Sequence, residues 1–362
     1  MSPAPAPAIP ASDRHRQDAR KSGRVLALTM GEPAGIGGEI ALKAWRAGRA
    51  AAGSAAPPAF FAIDSPDRLR ALANLPGCDA PVVPIAGADE ASAAFGDGLP
   101  VLPLRAAVCA ETGRPDPKSA AAVIESIDTA IDLVRRGLAW AMVTNPIQKA
   151  PLMAAGFGFP GHTEYLQHCA GGAPVAMMLA CSRLRVSLVT VHIPLAQVAA
   201  SLTVGNVEAA GRITAEALRR DFGIAAPRLA FAGLNPHAGE AGALGGEENT
   251  IIAPAVAALR EAGIDASGPY PADTLFHEAA RAAYDAAVCM YHDQGLIPLK
   301  TLDVQRGVNV TLGLPWVRTS PDHGTALDIA GTGRASPSSL VAALQTAADM
   351  AQRRAAAGPA GG

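Results

Sequence analysis

Three histidines recur in one local context. In Val186-Ser-Leu-Val-Thr-Val-His192-Ile-Pro, in Leu229-Ala-Phe-Ala-Gly-Leu-Asn-Pro-His237 and in Ala287-Val-Cys-Met-Tyr-His292-Asp-Gln-Gly, an apolar β-prone run ends at or just before an imidazole. Open α/β sheets gather ligand sites at the carboxyl ends of their strands, so residues far apart in sequence can meet along that edge. Three protein nitrogens with an open fourth position are the ligand set of a catalytic zinc or similar divalent ion. A strand-end histidine serves equally well as a hydrogen-bonding cap, and spacing alone leaves both readings open. The remaining histidines lack this pattern. His15 lies in a Pro- and Ala-rich leading segment, and His168 and His277 sit on polar, helix-like stretches and read as surface residues.

Other segments suit anions. Gly31-Glu-Pro-Ala-Gly-Ile-Gly-Gly38 follows a strand and opens a helix, where free N–H groups can face a negative charge. Its spacing is not G-x-G-x-x-G, so it fails as a dinucleotide fingerprint, and a purely structural turn is the alternative. Gly161-His162-Thr163-Glu164 precedes a helical stretch and offers a hydroxyl and an imidazole to a phosphate. Lys300, Asn309 and Arg318 follow His292 within a short span. Arginine grips phosphate or carboxylate bidentately and lysine supplies a point charge. Asp322-His323-Gly324-Thr325-Ala326 leads into a glycine-containing loop, Ala330-Gly-Thr-Gly333, which a helix cap would explain as well.

The elements that must position these groups alternate. Val25–Met30, Phe60–Ile63, Trp140–Thr144, Val186–Val191, Arg228–Ala232 and Ala287–Tyr291 read as strands. Ser119–Arg136, with Ser119 as its cap, Val207–Arg220 and Thr250–Ala262 read as helices, and Asp64-Ser65-Pro66 reads as a strand stop followed by a helix start. Such alternation implies a largely parallel sheet covered by helices on both faces.

Composition narrows the function classes. With 362 residues, two domains are expected. Thirty Lys+Arg against 32 Asp+Glu argues against a nucleic-acid footprint or an anionic-membrane partner. No apolar run approaches the ~18 residues of a membrane span. Five scattered cysteines without a C-x-x-C argue against a disulfide framework and fit a reducing, cytoplasmic compartment. Residues 1–23 read as a disordered tail and 354–362 as a frayed C-terminus.

Taken together, the segments resemble the 4-hydroxythreonine-4-phosphate dehydrogenase family of pyridoxal phosphate biosynthesis. The resemblance rests on Gly31-Glu-Pro-Ala-Gly-Ile-Gly37, Val143-Thr-Asn-Pro146 with Lys149, Gly161-His-Thr-Glu164, Leu234-Asn-Pro-His-Ala-Gly-Glu240, Pro271-Ala-Asp-Thr-Leu-Phe276, Met290-Tyr-His-Asp-Gln-Gly295, Gly307-Val-Asn-Val-Thr-Leu-Gly-Leu-Pro315 and Arg318-Thr-Ser-Pro-Asp-His-Gly-Thr325. These stretches run in family order across about 25–335. Two positions depart from the family pattern: Gly38 stands where Pro is frequent, and Asn145 where Gly or Ala is frequent.

The resemblance implies two α/β/α domains with a cleft between them, isopropylmalate-dehydrogenase-like. A cofactor-side domain is expected over 24–144 plus 313–353, and a metal, substrate and dimerisation domain over 145–312. It implies a homodimer whose partner chain completes the active site. Metal ligation falls on His192, His237 and His292, with zinc favoured and magnesium or cobalt open. Substrate binding falls on His162, Thr163, Lys300, Asn309 and Arg318, and Asp273 matches a further polar position. The segment Asp322, His323, Gly324 and Thr325 is assigned to NAD, which the residues do not distinguish from NADP.

The implied substrate is 4-(phosphooxy)-L-threonine, whose secondary alcohol gives up hydride to NAD before the resulting β-keto acid loses CO2, leaving 3-amino-2-oxopropyl phosphate. The cation is the expected Lewis acid, and Lys300 or Asp273 the expected proton carrier. Family relatives act on phosphorylated sugar acids and aromatic dihydrodiols. A paralogous decarboxylase of a phosphothreonate or phosphoerythronate is therefore the close rival, and a non-catalytic phosphometabolite-binding protein the distant one.

Overall fold

The computed structural model describes residues 25–50 and 57–357, and the chain divides into two units, Met1–Gly156 with Thr325–Pro337 and Phe157–Gly324 with Ser338–Gly362. The first is built on five parallel strands, β1 (Leu26–Thr29), β2 (Phe60–Asp64), β3 (Val82–Pro84), β4 (Leu99–Pro103) and β5 (Met142–Thr144), in the order β3-β4-β2-β1-β5. Leu26, Leu28, Phe60, Phe61, Ile63 and Val143 are buried without alternation, as befits strands covered on both faces. Helix α1 (Gly37–Ala50) follows β1. Helix α2 (Pro66–Leu72) starts where the sequence indicates: Ser65 Oγ accepts from Arg68 N at 3.3 Å and Pro66 takes the first turn. Helix α3 (Ala120–Arg135) departs in one detail. Ser119 does not cap it; its Oγ accepts from Cys109 N and Ala110 N and so pins the preceding loop.

The second unit carries β6 (Ala176–Cys181), β7 (Leu184–Leu188), β8 (Arg228–Ala232), β9 (Asp265–Tyr270), β10 (Ala286–Cys289), β11 (Val308–Leu312) and β12 (Arg318–Pro321), in the order β12-β11-β6-β7-β10-β8-β9. The pairs β7–β10–β8–β9 are parallel, and β12–β11–β6–β7 are antiparallel. The parallel core suits the expected class, while the antiparallel flank and strands β3, β4, β6, β9, β11 and β12 go beyond the sequence reading. Its longer helices are α4 (His162–Cys169), α5 (Val204–Arg220), α6 (Ala253–Glu261), α7 (His292–Leu302) and α8 (Ser338–Ala357).

The two faces of this sheet differ in what covers them. Leu179, Val186, Leu188, Ala230, Ala287 and Cys289 form a core with Leu296 and Leu299 of α7. Burying each of those two leucines is worth roughly 1.5–3 kcal/mol. Gly295 lets α7 sit close, since a Cβ there would lie 3.0 Å from Leu188 and 3.2 Å from Val186. Alternate residues point to the other face, where Thr214 of α5 bonds Ser187 and Thr319 bonds the Ala343 carbonyl of α8.

The domain boundaries differ from those expected. Residues 313–324 and 338–353 belong with the second unit, because β12 pairs with β11 and α8 packs on both, whereas 145–156 belong with the first. Fraying from 354 is also corrected: α8 continues to Ala357, and Arg354 donates to Asp221 at 2.5 and 3.0 Å. The expected tail, 1–23, and residues 358–362 lie outside the described residues. No helix among the described residues is long and apolar enough to cross a membrane.

Candidate active site

Two of the three strand-end histidines meet. The rings of His192, past β7, and His292, at the first position of α7, lie 5.8 Å apart between centroids and are tilted by 43°. The loops carrying them are stitched together: Val189 N and Thr190 N donate to the carbonyls of Cys289 and Met290, and Thr190 Oγ1 donates to Met290 O at 2.7 Å. Both rings line a cleft of about 450 Å³ with Val191, Tyr291 and Asp293. Asp293 Oδ1 lies 2.6 Å from His292 Nδ1. A carboxylate there holds the proton on Nδ1 and turns the Nε2 lone pair outward, as metal-ligating histidines require.

His237 is delivered differently. It opens a run of left-handed residues, His237, Ala238, Gly239, Glu240 and Ala241, with φ between 44° and 78°. Each non-glycine residue in that region costs about 1–2 kcal/mol, so the surroundings must impose the turn. They do so through Glu248, which is 2% exposed. Its Oε1 accepts from Leu234 N and Asn235 N, both at 2.7 Å, and its Oε2 accepts from Asn235 Nδ2 at 3.0 Å. Glu247 takes the same amide at 2.8 Å. Glu248 starts a π-helical turn, Glu248–Ile252, a feature frequent at functional sites. Buried Gln294 then links two strand ends, accepting from Met290 N at 2.7 Å and donating to Gly233 O at 2.6 Å.

A second cluster lies along the α7-covered face. Asn309 and Thr311 of β11 pair in register with Ser320 of β12 and with Leu179 and Met177 of β6, so all point to that side. Arg318 is 3% exposed and donates to Thr311 Oγ1 at 2.9 Å. Burial lowers its pKa to about 10, against the opposing pull of Glu164. His162, at the start of α4, is held well below the ordinary imidazole range by loss of solvent and by Arg318. His162 Nε2 and Asn309 Oδ1 are buried without a hydrogen-bond partner. Buried polar atoms are seldom left unpaired, which makes these two candidates for contact with a ligand. Thr163 sits in the first turn of α4, half-buried. Lys300 Nζ lies 3.3 Å from Asp322 Oδ2, and with His292 it lines a further cleft of about 450 Å³.

Several of the other singled-out groups have partners within the protein. The N–H groups of the Gly31–Gly38 turn are largely spent inside the protein: Glu32 N donates to Pro146 O, Ala34 N to the Glu32 carboxylate, Gly35 N to Glu32 O and Ile36 N to Thr325 O. A Cβ at Gly31 would lie 2.6 Å from that of Asn145, and one at Gly35 2.7 Å from Thr325 O. The glycines therefore serve close packing, which supports the turn reading. Asn145, one of the two departures from the family pattern, ties this turn down by donating to Thr29 O and Gly37 O. The Ala330–Gly333 loop is likewise occupied, with Gly331 N and Gly333 N donating to Glu39 and Lys43 donating to Gly333 O and Ala335 O. Asp322, expected on the cofactor side, is engaged by Lys300. Thr325 Oγ1 bonds Gln148. That leaves His323, whose Nε2 is buried and unpartnered, and Gly324, with open space above its Cα. Asp273 is exposed on the one-turn helix Ala272–Leu275. His168 and His277 are exposed, as read, and His277 caps the turn Glu278–Arg281.

The donor set fits a divalent cation in part. With imidazole nitrogens about 2.0–2.1 Å from one ion, two ring centroids fall about 5–6 Å apart, which His192 and His292 satisfy. Among the described residues of one chain, no three His, Cys, Asp or Glu side chains gather at such a point. Glu248, Gln294, Thr190 and the Asp322–Lys300 pair escaped the sequence reading. Only the acidic doublet Glu247–Glu248 ahead of a helix was a visible signal.

Comparison with known proteins follows the same direction. The profile of the family described as pyridoxal phosphate biosynthetic protein PdxA matches residues 57–347. A 4-hydroxythreonine-4-phosphate dehydrogenase of Caulobacter vibrioides is 52% identical over 337 residues, covering 91% of this chain and 98% of that protein. One from Methylorubrum populi is 53% identical over 337 residues, with 91% and 95% covered. Among solved structures, the 4-hydroxythreonine-4-phosphate dehydrogenase of Klebsiella pneumoniae aligns with a TM-score of 0.79 at 37% identity, covering 91% of this chain and 100% of that one.

Proposed function

The chain belongs to the pyridoxal phosphate biosynthetic protein PdxA family of oxidoreductases, and from that premise we propose that it oxidises 4-(phosphooxy)-L-threonine at its secondary alcohol and then decarboxylates the product. The hydrogen on the alcohol carbon leaves with its bonding pair as hydride, the hydroxyl proton passes to the protein, and the β-keto acid formed loses CO2, the enolate left behind taking up a proton to give 3-amino-2-oxopropyl phosphate. NAD, when bound, supplies the hydride acceptor. A divalent cation, when bound, supplies a Lewis acid that favours loss of the hydroxyl proton and of CO2.

The observation that carries this reading is the buried Arg318 beside two unpartnered polar atoms, His162 Nε2 and Asn309 Oδ1, on the sheet face that also carries Lys300. A phosphate there would accept from Arg318 and from a proton on His162 Nε2 and neutralise a desolvated guanidinium, while Asn309 Oδ1, an acceptor, would take a hydroxyl or ammonium donor of the same substrate. His162 is neutral as it stands, so it donates a hydrogen bond without adding charge. Thr163 adds a hydroxyl at the start of α4. Anchoring the phosphate fixes the distance to the alcohol and converts binding into orientation. Transfer of the hydroxyl proton is assigned to Lys300, beside Asp322, which would take it as an uncharged amine, and exposed Asp273 is the less suitable candidate.

His192 and His292 would hold the cation from one chain, with the third imidazole, His237, supplied by a second copy in a homodimer. His323 and Gly324 are left for the nicotinamide cofactor. The test is NADH formation by the zinc- or cobalt-loaded protein. NADH with CO2 release is expected from 4-(phosphooxy)-L-threonine. Turnover of phosphothreonate or phosphoerythronate alone would transfer the chain to the paralogous reading, and a metal-loaded protein inert to all three would refute oxidation.

A further inference from the structure

On the sheet face opposite Asn309 and Lys300, three arginines converge on a cleft of about 320 Å³. Its floor is Ala180, Cys181 and Val308 at the hairpin end of β6, β7 and β11, and its walls are Phe222 and the α8 residues Gln345, Thr346 and Met350. Val308 precedes Asn309, and successive strand residues face opposite sides, so this cleft and the Asn309 cluster are separated by the sheet itself. The hairpin end is also the far end of β7 from His192.

The cations there are Arg185, Arg306 and Arg353. Arg185 is half-buried, stacks with Cζ 5.2 Å from the Phe222 ring centroid, and spends one donor on Asp285 O at 3.3 Å. A guanidinium carries five N–H donors, so most of its capacity remains. Arg353 passes over Gly223, where a Cβ would lie 3.2 Å from its Cδ. Among the described residues, no carboxylate lies within salt-bridge distance of any of the three: Asp285 pairs with Arg228, and Asp221 with Arg220 and Arg354. Asp349 also lines the cleft, so three positive charges face one negative, a difference of +2. Burial depresses the Arg185 pKa; the Asp285 carboxylate opposes that effect and the neighbouring charge of Arg353 adds to it. Like charges held together around a recess large enough for a small metabolite call for an anion, and guanidinium forks match phosphate oxygens pairwise.

We propose that this cleft is a second phosphate site, separate from the candidate active site, which takes the dianionic group of a small phosphomonoester on Arg185, Arg306 and Arg353. Ser182 and Thr346 offer hydroxyls at its edge. This inference does not rest on the proposed reaction.

Calorimetric titration with inorganic phosphate at low ionic strength tests it. Wild-type protein should bind phosphate at two sites per chain. Arg306→Ala/Arg353→Ala, which alters exposed side chains, should lose one of them or weaken it at least tenfold, and so should Arg353→Glu alone. Arg318→Ala should retain the site that these variants lose. Methyl phosphate should bind there as phosphate does, and succinate at least tenfold more weakly. Phosphate affinity within twofold of wild type in both Arg353 variants would overturn the proposal, as would succinate binding equal to phosphate.

Discussion

Replacing Glu248 by alanine should disable the site without touching a ligand. Glu248 accepts two main-chain N–H bonds at 2.7 Å and one side-chain N–H bond at 3.0 Å, and it is 2% exposed. Leaving a buried donor without an acceptor costs about 1–3 kcal/mol. The two main-chain donors alone therefore set a loss of about 2–6 kcal/mol, and water entering the space left by the side chain keeps it near the lower half, about 2–4 kcal/mol. The same bonds hold the left-handed turn that carries His237, so the turn should relax toward ordinary backbone once they go. Urea unfolding reads the first effect as a midpoint lowered by roughly 1 M at unchanged slope. Chelator competition reads the second as zinc affinity reduced at least tenfold. His237→Ala should show the zinc loss without the stability loss, because His237 is exposed. A Glu248→Ala protein with wild-type midpoint and wild-type zinc affinity would refute the reasoning.

Two further outcomes follow from the buried cluster. Arg318→Ala should raise the KM for the phosphorylated substrate by about tenfold to a hundredfold, the value of a charged hydrogen bond at roughly 1.5–3 kcal/mol, and an unchanged KM would remove Arg318 from the anchor. His162 is folded in its neutral form, with a pKa well below the ordinary 6.5. Below about pH 6.5 the unfolded chain takes up a proton there that the folded chain does not, so stability falls as pH drops through that window. His162→Gln should lose that part of the difference between urea midpoints at about pH 5 and about pH 7.5, and an identical pH dependence in the two proteins would contradict the burial argument.

What could be read from the sequence was set by periodicity and by chemistry carried on single residues. β1, β2, β5, β8 and β10 are short apolar runs bounded by turn residues, and their limits came within two residues of the structure. β7 lies earlier than read, at Leu184–Leu188, because the apolar run to Val191 continues past its last ladder partner. β9 reads Asp-Ala-Ser-Gly-Pro-Tyr and β12 Arg-Thr-Ser-Pro, with neither apolar alternation nor a long run to reveal them. Missing β12 in turn misassigned α8, since that helix goes where β11 and β12 go. The histidine pair was legible because each imidazole closes an apolar strand. Glu248 and Gln294 were not, because their work is done on main-chain groups brought near only by folding. The glycine-rich turn leaves two readings open in sequence for a related reason: the acceptors of four of its N–H groups, in Glu32, Pro146 and Thr325, are brought near only by folding.

Whether His192, His237 and His292 share one cation is tested most directly by X-ray absorption of the zinc- or cobalt-loaded protein. Three imidazole nitrogens at about 2.0–2.1 Å are expected, falling to two in His237→Ala. A first shell without three imidazoles in the wild type, or one left unchanged by removing His237, would contradict a shared cation.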